Sequence, residues 1–255
     1  MKKNIKNSQS IFLTTIVFSF LMLFPLLTYS QAAIIAAIFG DKVASEKFNL
    51  SMEIGVPLTN YSNIEGNKPN LGFNFGIAGN IKINDSWSVS PTAYFLAKRS
   101  FDIKNFSLES PDAHLNELYN NVPTTIELNY IQIPIFINYK IPNSKFRIGL
   151  APQVSFKQNV DATFSSEIGE FERAVGIRVN NIDYGLIANL SYYLQYKRNG
   201  KGLYVSLRYN QGFTDVFKDS FIEGTNRNHY LSFNISLPFL TDELAQKNLN
   251  TQPKP

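Results

Sequence analysis

The chain has two histidines, His114 and His229, and no cysteine. His229 precedes Ser232 by three residues, the pair of types that a hydroxyl nucleophile and its general base require. In an extended strand that spacing puts the two side chains on opposite faces. His114 stands beside Asp112 and Glu117 in a polar stretch, where a solvated imidazole is the simpler reading. Two distant histidines without a thiolate make a nitrogen and sulfur metal set improbable. The reading is therefore not an enzyme, with no catalytic, metal or cofactor-binding residue, and no cofactor.

A second group of charged residues interrupts apolar patterning: Glu53, Lys82, Arg147, Asp183 and Arg208. Buried without partners they would be costly, so cross-paired, structural roles are expected of them. An ion or proton path is the sharper alternative.

These residues sit in segments that alternate polar and apolar positions. In the clearest, Leu71, Phe73, Phe75, Ile77, Ile81 and Ile83 oppose Gly72, Asn74, Gly76, Asn80 and Lys82. A period of two is that of a strand with one polar face. Eight such strands are predicted, over residues 48–56, 71–83, 87–98, 130–139, 146–157, 182–196, 203–210 and 230–239. Pro134 would interrupt the fourth strand, and a bulge is expected there. The connections alternate short and long, with turn chemistry at Asn84-Asp85-Ser86 and Pro142-Asn143.

Period alone does not choose between a membrane barrel and a soluble barrel with an apolar lumen. Long loops at one end and tight turns at the other favour an eight-stranded, antiparallel, up-and-down transmembrane β-barrel, an all-β fold. Trp87, Tyr139, Phe146, Tyr196 and Phe239 fall beside the tight turns, where an interfacial aromatic girdle belongs. The opposite face carries the five charged residues among small polar ones, which suits a hydrogen-bonded lumen.

Upstream, Lys2, Lys3 and Lys6 precede an apolar run over 11–27 and Thr28-Tyr29-Ser30, the pattern of a cleaved secretory signal over 1–30. Residues 31–47 then form a periplasmic lead-in, 48–240 the barrel and 241–255 a polar periplasmic tail. Removing the signal leaves 21 basic residues against 20 acidic. That near-neutral balance gives no reason to expect nucleic acid as a partner.

Phe39-Gly40-Asp41-Lys42-Val43-Ala44-Ser45-Glu46-Lys47-Phe48, Tyr130-Ile131-Gln132-Ile133-Pro134, Gly149-Leu150-Ala151-Pro152, Asp183-Tyr184-Gly185-Leu186, Arg208-Tyr209 and Gly212-Phe213-Thr214-Asp215 resemble the PorT-like outer-membrane β-barrel proteins of the Bacteroidota. These are small barrels of the OmpA and OmpX kind, often labelled porins. The resemblance covers nearly all of the mature chain and implies an eight-stranded barrel in the cell outer membrane. PorT itself takes part in type IX protein secretion. One departure is the polar tail after Phe239 and Leu240, where barrels of this kind usually finish on an aromatic residue.

The expected localisation puts long loops outside the cell and the tight turns and both termini in the periplasm. The partners are outer-membrane lipids together with envelope or secretion-machinery proteins; oligomeric state is not legible. The favoured function is a structural or interaction role accessory to protein secretion or envelope assembly. A small-solute channel and a lipid-modifying enzyme are the competing classes. An eight-stranded barrel is about filled by its own side chains, which disfavours a general pore. The loops over 99–125 and 158–181 are net acidic, read as solubility and divalent-cation bridging rather than as a docking surface for a basic partner.

Overall fold

Strand β1 (Phe48–Tyr61) is followed by β2 (Lys68–Leu71), β3 (Phe73–Lys82) and β4 (Trp87–Ile103). A short helix α1 (Ala113–Leu118) leads to β5 (Thr124–Lys140), β6 (Phe146–Ser166) and β7 (Gly169–Ala174). Then come β8 (Ile182–Gln195), β9 (Gly202–Asp215) and β10 (Arg227–Leu240). The computed structural model describes residues 48–64, 66–103, 106–195, 202–219 and 224–240. The expected signal, lead-in and tail, and Tyr196, lie outside the described residues, as does the side chain of Phe239.

The pairing is antiparallel, with β1 beside β2 and β3, these beside β4, then β5, β6, β8, β9 and β10 in turn, and β10 pairs with β1 to close the ring. The strands β2 and β3 together make one stave, interrupted at Gly72, and β7 is an outgrowth paired to β6. Eight staves therefore form an up-and-down barrel, within the compact unit Leu50–Pro238. Closure leaves no unpaired edge in the wall, which a strand crossing hydrocarbon requires. No helix among the described residues is long and apolar enough to cross a membrane.

The large apolar side chains point outward in the lower part of the wall. On β6 the exposed series is Phe146, Ile148, Leu150 and Phe156; on β5 it is Ile133, Ile135 and Ile137. Ten residues separate Phe146 from Phe156, about 33 Å of strand and, at a tilt near 40°, about 25 Å of height. That is the height of an outer-membrane apolar band.

Above the band the alternation continues with its polarity reversed. In β5 the inward residues become Ile126 and Leu128, and in β6 they become Val160, Ala162 and Phe164, all buried. Two register shifts accompany the reversal. Phe95 and Leu96 of β4 together oppose one residue of β5, and Gln158 and Asn159 of β6 do the same. The expected bulge at Pro134 is thus corrected: Pro134 takes a regular position opposite Gln153. The extra residue turns β4 and β6 over at this level, whereas β5 keeps its facing and changes only the type of its inward residues. A proline needs no bulge if only its own missing N–H is lost from the ladder.

The same reversal explains why most strands run past their expected ends towards the long connections. The wall there leaves the band, and Lys98 and Glu127 form a 2.6 Å ion pair on its outer surface.

Candidate functional site

The lumen has a polar lower part and an apolar upper part. In the lower part Glu53 and Arg208, each almost fully buried, pair at 2.9 Å. Arg208 also donates to Asn189 Oδ1 at 3.1 Å and to the Tyr94 hydroxyl, and its guanidinium lies 4.5 Å from the centre of the Phe136 ring. Fixed geometry and several acceptors are what a buried guanidinium requires.

Higher in the lumen, Arg99 is 1% exposed. It donates to Asn74 at 2.6 Å and to Gln132 at 2.5 Å, and lies 4.2 Å from the Tyr230 ring centre. Gln132 passes the network on to Gln153 and the Tyr230 hydroxyl. Asp183 accepts from Thr214 at 2.7 Å and from Asn228 at 3.4 Å.

Of the five charged residues singled out in the sequence, the lumen joins Glu53 to Arg208 and holds Asp183 separately. Arg147 faces the lumen near the tight turns, its guanidinium 4.1 Å from the Tyr204 ring centre. Lys82 stands at the rim, half-exposed, with Asp85 of the adjoining turn at 2.8 Å. That ammonium holds the Asp85 carboxyl below the usual carboxylate range, first by its hydrogen bond and then by its charge.

Arg99 escaped the sequence reading, which ended its strand at Lys98. Simple alternation from Trp87 would aim Arg99 at lipid; the bulge at Phe95-Leu96 turns it inward. Two successive apolar residues in an alternating strand were the available signal.

The girdle residues Trp87 and Tyr139 meet with ring centres 5.0 Å apart. Phe146 packs on Tyr192 at 4.9 Å. Inside the same end, Tyr193 lies 5.2 Å from Tyr204.

The upper lumen holds an apolar cap. Tyr61, Phe101, Ile126, Leu128, Val160 and Phe164 of the wall pack with Phe106, Leu108, Tyr119, Val175, Val179 and Phe217 of the long connections. Phe101 and Phe217 stand 5.8 Å apart, and Tyr61 lies 4.7 Å from Phe101. Arg173 donates to the Leu108 carbonyl and Arg178 pairs with Glu109, tying the two acidic connections together.

His114 is exposed in α1, and its backbone N–H donates to the capping Asp112 carboxylate at 2.9 Å. His229 is half-buried, whereas Ser232 is fully buried on the lumen side. Their separation matches the opposite faces expected of a strand. Among the described residues no group of three or more histidine, cysteine or acidic side chains is placed to hold a metal ion.

A closed antiparallel ring with exposed apolar residues in a band and charges inside defines a membrane-spanning β-barrel. The chain belongs to the outer membrane protein beta-barrel domain family, whose profile matches residues 37–218. No curated protein matches it. It is similar in fold to Ail, the attachment invasion locus protein of Yersinia pestis, at 13% identity over 76% of this chain and 99% of that one, with a TM-score of 0.42. Neisserial surface protein A is similar at 14% identity, over 74% and 96% of the two chains, TM-score 0.37. OprG from Pseudomonas aeruginosa is similar at 13% identity, over 78% and 96%, TM-score 0.36.

Proposed function

We propose that this outer-membrane barrel is non-conducting and non-enzymatic, with a structural or interaction role accessory to protein secretion or envelope assembly. The apolar cap carries the reading. A solute or ion travelling along the polar lower lumen meets buried aromatic rings contributed by both the wall and the long connections. Opening that path would expose side chains such as Phe101, Phe164 and Phe217, each worth roughly 1.5–3 kcal/mol in burial. The cap also gives the long connections a common core, so they form a rigid surface on which partners dock. Outer-membrane lipids cover the apolar band. The resemblance to PorT-like proteins supports secretion as the process served.

In this reading the long connections face outward and the tight turns and both termini face the periplasm, as in other barrels of this type. The chain has no cysteine, so single cysteines introduced at Ile168 and at Asp85 report sidedness cleanly. An impermeant maleimide should label the first in intact cells and the second only after the outer membrane is opened.

Planar-bilayer recording tests closure: the wild-type barrel should show no unitary conductance, and stable channels would overturn the reading. The secreted proteome of a deletion strain, compared with parent and complemented strains, tests the accessory role. Loss of a defined set of secreted proteins with periplasmic precursors supports it, and an unchanged secretome removes it.

A further inference from the structure

At the tight-turn end of the lumen Glu53, Asn80, Ser90, Asn138, Arg147 and Arg208 surround a small cavity. Its charges do not balance. The Glu53 carboxylate is taken up by Arg208 at 2.9 Å, and among the described residues the Arg147 guanidinium has neither an ion pair nor a hydrogen bond. Its Nε is buried without an acceptor, and its one close contact is the face of Tyr204. The rim adds exposed Lys140 and the half-exposed Lys82, the latter paired with Asp85 at 2.8 Å.

Arg147 is half-buried, and a guanidinium partly withdrawn from water gains from a counter-charge or acceptors, which a ring face replaces only in part. The wall offers neutral amide and hydroxyl groups. Asn138 donates to Ser90 at 3.2 Å and Ser90 donates to Asn80 at 2.8 Å, while the Asn138 Oδ1 is buried without a donor. The free space amounts to about 10 Å³, room for roughly one water-sized body. Phosphate, sulfate and lipid headgroups are too large, and lipid is on the other side of the wall.

We propose that this cavity is a binding site for one small monovalent anion of chloride size, held by Arg147 and entering past Lys82 and Lys140. The anion completes the charge balance of the lower lumen and locks the turn end of β6 against β9. It is a structural site that makes the barrel's stability specific to the kind of salt, not only to ionic strength.

The test uses the refolded full chain in dodecyl maltoside, with sodium chloride exchanged for sodium gluconate at constant ionic strength. The urea midpoint of unfolding should rise and saturate with chloride, and Arg147→Gln should abolish the response. A charge-assisted hydrogen bond contributes about 1.5–3 kcal/mol, so the variant should weaken chloride binding at least about tenfold. Asn138→Asp places a carboxylate in the same cavity; it should raise stability in gluconate and remove the chloride response. Crystals grown in bromide should show anomalous density beside Arg147 in the wild type. Equal midpoints in chloride and gluconate, an unchanged response in Arg147→Gln, or bromide density absent from the cavity would overturn the proposal, leaving a single water there.

Discussion

At the scale of single residues, the lumen separates charges that pair from charges that are merely held. Removing one member of a buried pair strands the other, typically at a cost of 3–5 kcal/mol. Glu53→Ala should therefore lower unfolding free energy by about that amount, and Glu53→Ala with Arg208→Met should recover part of it. Urea unfolding followed by heat-modifiable gel mobility reads both. Asp85 offers a contrast at the exposed rim. Its carboxyl is held below the usual range by Lys82, so its stabilisation is present above the ordinary carboxylate pKa and lost as pH falls through the lowered one. Comparing wild type with Asp85→Asn over that acid interval should show a small excess loss in the wild type, absent at neutral pH. The sequence disclosed four of the lumen charges because they lie on strands with unbroken alternation. It concealed Arg99, whose facing depends on a bulge three to four residues earlier in the chain.

At the scale of elements, the staves were legible where lipid and lumen impose opposite polarities on alternate residues. They became illegible above the band, where water replaces lipid outside and apolar contacts replace polar ones inside. There β5 keeps its facing while its apolar residues move to the inward side, and β6 turns over at Gln158-Asn159, so a reader following one outward apolar face sees the strand end. Loops read as acidic surface also hid apolar anchors such as Phe106, Leu108 and Val179, which have no periodicity to announce them. Two glycines mark where backbone or ring approaches closely. A Cβ at Gly72 would lie 2.0 Å from the Lys98 carbonyl oxygen, and one at Gly202 about 2.1 Å from the Tyr193 ring. Gly202→Val should displace Tyr193 from Tyr204, loosening the turn end of β8 and β9. Amide exchange in those two strands should speed up while the cap remains protected.

At the scale of the molecule, two different solvents stabilise one barrel. Leu150 is 54% exposed within the band, so Leu150→Arg faces hydrocarbon and should cost about 2–4 kcal/mol near the midplane. The penalty should be read in lipid bilayers, with Leu150→Ala as the control for lost side-chain volume. Phe217→Ala instead opens the cap, at a cost of about 3–5 kcal/mol. It should raise protease sensitivity of the long connections while the lipid-embedded wall stays resistant. If the cap is the seal, that variant should also be more conductive than wild type in planar bilayers.

The cap is held by water's exclusion from apolar surface, and the wall below it is not, since its apolar side chains meet lipid whether or not they meet each other. Hydrophobic burial in water weakens on cooling. The two ends of the molecule therefore respond to temperature with different curvature. Its outward-facing surface should loosen at both ends of the temperature range, in deep cold as well as on heating, whereas the membrane-embedded staves lack the cold limb.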